Sequence, residues 1–176
     1  TYRPINRDFW KLYREDKISK KDLRYQRLKT TFDKINETVS DDTINTIAYE
    51  YIEFLPDFNH LFEGTIEVLE YLKKTYTLHI ITNGFDEIQS RKMKSSNILD
   101  YFDQVITSEC VGVKKPNPKV FHYALKEANA SIHNSIMIGD SIEADILGAI
   151  NIGMSAIHCN FEHEVVENTN FHSVTS

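Results

Sequence analysis

The sequence predicts an α/β protein: a doubly wound parallel sheet covered by helices on both faces, with a small all-helical segment ahead of it. Three observations carry this expectation. From about residue 75 onward, short β-branched runs alternate with amphipathic helical stretches. No strand signal precedes that point. Periodicity breaks between the two regimes at residues 56–64, where Pro56, Asn59 and Gly64 interrupt it. Apolar strands that alternate with helices imply a parallel sheet with both faces covered.

The helical segment comes first. Ser19 with Asp22 three residues on reads as a helix start. Tyr25, Leu28, Phe32 and Ile35 then form an apolar stripe. Ser40, followed by Asp41 and Asp42, marks another start. Beyond it Ile44, Ile47, Ala48 and Tyr51 fall at i, i+3, i+4 and i+7, one face of a helix. A further helix places Thr65, Val68, Leu69 and Leu72 on one face. Four buried-strand candidates follow: Leu78-His79-Ile80-Ile81-Thr82, Gln104-Val105-Ile106-Thr107-Ser108, Ser135-Ile136-Met137-Ile138-Gly139 and Ser155-Ala156-Ile157-His158-Cys159. Helices are expected between them near residues 85–97, 118–129 and 142–151. In such sheets ligands bind at the carboxyl ends of the strands, so the informative loops begin at Thr82, Ser108, Gly139 and Asn160.

Composition narrows the function classes. The chain has 176 residues, 41% of them hydrophobic, and a formal net charge of −6. That apolar content excludes a disordered chain, and the acidic balance without a basic patch argues against a nucleic-acid binder. No apolar run approaches the roughly 18–20 residues of a membrane helix, so no membrane partner is expected. Cys110 and Cys159 lack metal-ligand spacing and read as buried thiols in a reducing cytoplasm. The opening Thr1-Tyr2-Arg3-Pro4 is not followed by the apolar core of a signal peptide. The length suits one domain with a small accessory lobe.

Three strand ends carry chemistry. Ile81-Thr82-Asn83-Gly84 puts a hydroxyl and exposed backbone N–H groups at a helix start, a ready anion site. Alone, it is first of all a strand-to-helix turn capped by Asn83. In Lys114-Lys115-Pro116-Asn117-Pro118, the residue before Pro116 is restricted to extended geometry and Pro118 suits a first helical turn. A cation held there suits a phosphate, although an isolated Lys-Pro reads first as a solvated loop. In Gly139-Asp140-Ser141-Ile142-Glu143-Ala144-Asp145, Asp140 falls at a strand tip and Gly139 permits close chain approach. Two carboxylates there suit a hard cation, since Mg²⁺ takes one or two carboxylates plus phosphate and water. Interaction with the helix dipole explains Glu143 and Asp145 equally, but not Asp140.

Taken together, the three motifs resemble the haloacid-dehalogenase-like hydrolases, in the subclass with a helical cap inserted ahead of Thr82. The segments Phe9-Trp10, Ile81-Thr82-Asn83-Gly84-Phe85, Tyr101-Phe102-Asp103, Ser108-Glu109, Val111-Gly112-Val113, Lys115-Pro116-Asn117, Phe121, Tyr123-Ala124-Leu125 and Asp145-Ile146-Leu147-Gly148 look most like the bacterial house-cleaning pyrimidine 5′-nucleotidases. The resemblance implies a cap over residues 1–58 and an α/β core over 59–176. It also implies a first strand ending Asp-x-Asp-x-Thr, with the nucleophile, in the middle of the sheet. No such motif is present; Phe32-Asp33-Lys34-Ile35-Asn36-Glu37-Thr38 has the wrong spacing and no strand before it. The expectation is that the core lacks its central strand, that about 40 residues precede Thr1, judged from typical element lengths, and that the end stops short of a last helix.

The implied activity is Mg²⁺-dependent hydrolysis of a small phosphate ester, a nucleoside 5′-monophosphate above all, through an aspartyl-phosphate. In that reading Thr82, Asn83, Gly84 and Lys115 hold the phosphate, Asp140 binds the metal, and Asp145 orients Lys115 or a metal-bound water. Lys114 competes with Lys115, and the family's lysine directly precedes the proline. Ser108, Glu109 and Asn117 lie near the same face with no assigned role. In the cap, Trp10, Tyr13, Tyr25 and Phe32 are candidates to stack on a base and Arg14 or Arg27 to approach a phosphate, but aromatics at helical spacing are more often cap core. A dehalogenase on the same fold is the competing enzyme, disfavoured by Asp140 with Asp145. A degenerate member acting as a binding module is the non-enzymatic alternative. A response regulator would lack the cap.

Overall fold

The computed structural model describes residues 1–161 and 171–175. Two compact units emerge. One comprises Thr1–Glu63 and Glu87–Leu99, the other Gly64–Asp86 and everything from Asp100 onward.

The first unit is helical, with α1 (Tyr2–Arg14), α2 (Lys20–Lys34) and α3 (Asp41–Phe54). Their starts are set locally. Ser19 accepts from the Asp22 N–H while Asp22 accepts from the Ser19 N–H, a reciprocal capping box. Ser40 Oγ accepts from Thr43 N–H at 3.2 Å. The α2 and α3 stripes meet in a cluster of Leu28, Ile44 and Ala48, against which Tyr2, Tyr25, Phe32, Val39 and Ile47 pack. Ile35 departs from the expected stripe: it lies past the end of α2 and is 48% exposed. Glu87 on α5 (Asp86–Ser95) pairs with Lys20 and Arg24, and Arg91 pairs with Glu53. These ties draw residues 87–99 into the helical unit.

The second unit holds α4 (Thr65–Lys73), β1 (Leu78–Thr82), β2 (Phe102–Thr107), α6 (Ser108–Val111), α7 (Pro118–Glu127), β3 (Ile136–Gly139), α8 (Leu147–Ile150), β4 (Ser155–Cys159) and β5 (His172–Val174). All strand pairs are parallel, as expected, but the strands form two sheets, β1-β2 and β3-β4-β5. Among the described residues β1 and β3 do not pair with each other. The strand β5 was not anticipated from the sequence.

The core gathers Phe121, Met137, Ile146, Ala149, Met154 and Ala156, with Ile81 of β1 packed against it. Burying one such large side chain is worth roughly 1.5–3 kcal/mol. The burial expected of every strand is met only in part. No residue of β1 is fully buried, and Ile136 and Ile138 of β3 are 53% and 49% exposed. Ile136 and Ile138 alternate with the buried Met137, so they share one face of β3, and that face is the uncovered one among the described residues. The helix before β1 likewise has no fully buried residue, and Val68, expected on its inner face, is 55% exposed. Both cysteines are free, and Cys110 is exposed rather than buried. Burial, with the negative charge of Asp140 nearby, pushes the half-buried Cys159 thiol up from its ordinary value. No helix among the described residues is long and apolar enough to cross a membrane.

Candidate active site

The site is built where β1 and β3 end. Register sets Thr82 opposite Thr107 in one sheet and Gly139 opposite His158 in the other. At the tip of β1, Thr82 Oγ1 accepts from the Gly84 N–H at 2.9 Å, a side-chain turn that leaves the hydroxyl proton to donate. The Gly84 N–H is therefore engaged by Thr82. Asn83 turns the other way: its Oδ1 accepts from the Lys115 N–H at 2.8 Å and its Nδ2 donates to the Lys115 carbonyl at 3.0 Å.

That pair of hydrogen bonds fixes the chain at Lys115, whose peptide to Pro116 is cis. Lys115 is only 7% exposed. Its Nζ donates to the Ile81 carbonyl at 2.7 Å and lies 2.5 Å from Asp145 Oδ1. Asp145 is 4% exposed, and its other oxygen accepts from the Ser141 N–H at 3.2 Å. A buried lysine and aspartate in contact offset each other's desolvation, and removing either partner strands the other. The ammonium has three protons. Two face Ile81 and Asp145, and the third has no partner among the described residues.

The loop after β3 explains how Asp145 gets there. Ser141 Oγ caps the next turn by accepting from Ala144 N–H at 3.1 Å. The Ser141 carbonyl accepts from both Asp145 N–H and Ile146 N–H, at 2.9 and 3.2 Å, which makes residues 142–146 a single π-helical turn. Such turns re-aim a side chain within a helix. Gly139 is needed here: a Cβ on it would fall 2.6 Å from Asp145 Cβ and Cγ.

Asn83, Lys115 and Asp145 are thus brought into one hydrogen-bonded and ionic cluster, with Thr82 next to it in the chain between Ile81 and Asn83. Asp140 stands between Gly139, in close contact with Asp145, and Ser141, which binds it. Unlike Asp145 the Asp140 residue is exposed. A hard cation suits a free carboxylate oxygen, and Asp140 offers one, whereas Asp145 is occupied by Lys115 and Ser141. Among the described residues no group of three His, Cys, Asp or Glu stands together as a complete metal cage. Mg²⁺ does not require one, since it completes its shell with water and phosphate.

The residues without an assigned role behave differently. Asn117 Oδ1 accepts from Lys119 N–H as an N-cap, and Glu109 accepts from Asp86 N–H. Ser108 is buried, and its Oγ has no hydrogen-bond partner among the described residues. The aromatic candidates of the helical unit are mainly packing groups. Tyr13 is buried with Trp10 edge-on to it, and Tyr25 and Phe32 pack on the Leu28 cluster. Tyr25 also lines a pocket of about 400 Å³ with Lys20, Lys21, Arg24, Asn45 and Tyr49. Arg27 is 2% exposed, donates to Asn6 Oδ1 and lies over the Tyr51 ring. Sequence reasoning missed the Asn83 side chain, Ser141 and the buried His158. His158 was detectable in one respect: it shares with Ala156 the inward phase of β4.

The haloacid dehalogenase-like hydrolase family matches residues 7–159. The pyrimidine 5′-nucleotidase YjjG of Escherichia coli is 33% identical over 166 residues, covering 92% of this chain and 70% of that protein. The glyceraldehyde 3-phosphate phosphatase of Methanothermobacter thermautotrophicus is 36% identical, covering 87% and 68%. Among solved structures, the magnesium-bound HAD-hydrolase YfnB of Bacillus subtilis superposes with a TM-score of 0.86 at 22% identity, covering 98% of this chain and 75% of that one.

Proposed function

The chain belongs to the haloacid dehalogenase-like hydrolases, and from that premise we propose that it forms the phosphate-handling part of a phosphomonoester hydrolase acting on nucleoside 5′-monophosphates. The observation that carries this reading is the buried Lys115, held at the end of β1 by the Ile81 carbonyl and by Asp145, with one ammonium proton unassigned among the described residues. A fixed cation and a hydroxyl donor at a strand tip stabilise the charge that grows on phosphoryl oxygens in the transition state, with no reorganisation at the moment of reaction. Lys115 and Thr82 bind those oxygens, helped by the Asn83 N–H and the turn at Gly84. Asp145 keeps Lys115 aimed and charged.

The attacking carboxylate is not among the described site residues. In this reading it belongs to a strand outside the chain that would lie between β1 and β3, each of which pairs with one strand among the described residues. It attacks phosphorus and breaks the ester P–O bond, giving an aspartyl-phosphate and an oxygen that takes up a proton and leaves as the alcohol; water then attacks the same phosphorus, regenerating the carboxylate and releasing inorganic phosphate. Asp140 is the residue that would hold Mg²⁺, which when bound neutralises charge between carboxylate and phosphate. The nucleotide preference is supported by the relative named a pyrimidine 5′-nucleotidase. The relative named a glyceraldehyde 3-phosphate phosphatase favours keeping other small phosphate esters in the test.

The test uses the full-length protein that carries these residues. Phosphate release is followed from uridine and thymidine monophosphates, from triose and sugar phosphates, and halide release from a 2-haloacid, with and without chelator. Nucleotide hydrolysis abolished by chelator and by Lys115→Met is the expected result. Halide release that survives chelation overturns the reading in favour of a dehalogenase. Binding of nucleotide without turnover overturns it in favour of a binding module.

A further inference from the structure

We propose that His158 is a positioning residue that sets the aim of the Asp140 carboxylate through its main chain. The inference rests on the reading of Asp140 as the metal-binding carboxylate. The β3–β4 ladder ends with Gly139 opposite His158. Asp140 is the first residue beyond it, so its carbonyl lies past the last ladder pair of β3 among the described residues. The His158 ring supplies one: Nε2 lies 3.2 Å from the Asp140 carbonyl oxygen. A carbonyl only accepts, so Nε2 carries the proton.

The other ring nitrogen is held as well. Nδ1 lies 3.2 Å from Ser173 Oγ on β5, which donates to it once Nε2 holds the ring proton. Phe171 meets the ring edge-on with centroids 6.0 Å apart. The imidazole is 1% exposed. Three neighbours therefore fix ring plane and tautomer: Ser173 on one side, Phe171 against the edge, Asp140 at the far end. What this constrains is the Asp140 peptide between Gly139 and Ser141. An exposed carboxylate on an unpaired peptide would sample several directions, and a cation binds more weakly when its ligand must first be ordered. Groups that orient a ligand in this way are typically worth about 10–100-fold in metal affinity.

The test measures Mn²⁺ binding by electron paramagnetic resonance in the full-length protein and the His158 tautomer by two-bond ¹H–¹⁵N correlation. His158→Gln keeps an amide N–H near the Nε2 position, while His158→Asn reaches only as far as Nδ1. The expected result is an Nε2–H tautomer, Mn²⁺ affinity about tenfold lower in H158N, and recovery to within about threefold of the parent in H158Q. An Nδ1–H tautomer overturns the proposal. So does equal affinity in folded H158N, or an equal loss in H158N and H158Q, which marks a packing role only. If H158N does not fold, Ser173→Ala replaces it, with a two- to threefold weakening expected and no change overturning. A parent protein that binds no Mn²⁺ and hydrolyses phosphate esters in chelator overturns the Asp140 reading as well, which separates the two failures.

Discussion

Asn83 grips Lys115 by the main chain: one amide side chain satisfies both the N–H and the carbonyl of the same residue, at 2.8 and 3.0 Å. The two residues are 32 apart in sequence and belong to different strand-end loops. The clamp therefore joins the loop after β1 to the one that presents the buried ammonium. A motif residue expected to offer its backbone to a phosphate also spends its side chain on building the site.

Asn83→Ala removes both bonds and leaves two main-chain groups of a buried residue to find other partners. Each unsatisfied group costs about 1–3 kcal/mol. The expected outcome is a lower urea midpoint together with a fall in turnover of at least tenfold in the full-length protein. Unchanged turnover at full occupancy of the folded state would show that Lys115 holds its place without the clamp.

Gly139→Ala tests the close approach at the other strand end. A Cβ there overlaps the Asp145 side chain, so the carboxylate is displaced from Lys115. The kinetic defect is expected to match that of Asp145→Ala, and combining the two is expected to add little. Additive losses would show that Gly139 acts on something other than Asp145.

The helical unit carries its own titration. Burial, opposed by the nearby Arg27 charge and reinforced by Tyr51, pushes the Tyr2 phenol from 10.0 up to about 12. A pKa raised in the folded state means the folded form holds the proton more tightly than the unfolded chain. The corresponding stability is present below pH 10 and is lost as pH rises toward about 12. Urea midpoints at pH 9 and 11.5 are expected to converge in Tyr2→Phe relative to the parent, with the phenolate absorbance step of one tyrosine near pH 12 lost from the 295 nm titration of the variant.

Ser19→Ala dissolves the capping box at the start of α2. A loss of about 1 kcal/mol is expected, read from thermal unfolding. Ser19 lies far from Lys115 in the chain and in the other structural unit, so turnover at a temperature where both proteins are folded is expected to stay the same.

What was legible in the sequence was whatever is decided within a few residues. The caps at Ser19 and Ser40 are i to i+3 contacts, and both form as read. The bounds of β1 and β4 coincide residue for residue with the strand candidates read from the sequence. The motifs after β1 and β3 were readable because each sits at a strand tip, marked by the change from apolar run to Asn-Gly or Gly-Asp, whereas Lys115 lies beyond α6, eight residues past the end of β2. Lys115 was distinguished from Lys114 by the family resemblance, and it is the buried one of the two.

The rest depended on which parts of the chain meet. Whether β1 and β3 are buried is set by their neighbours, and an apolar run looks the same with one paired neighbour as with two. Residues 87–99 join the helical unit because Glu87 and Arg91 find charges more than 35 residues away in sequence. The ion pair of Asp145 with Lys115, the Asn83 clamp and the ring of His158 at Asp140 all join segments at least 18 residues apart in sequence. By itself the sequence determined the elements and the residue types at their ends. Only the tertiary structure decided which of those ends share a site, because a hydrogen bond or ion pair between distant segments leaves no period in the chain.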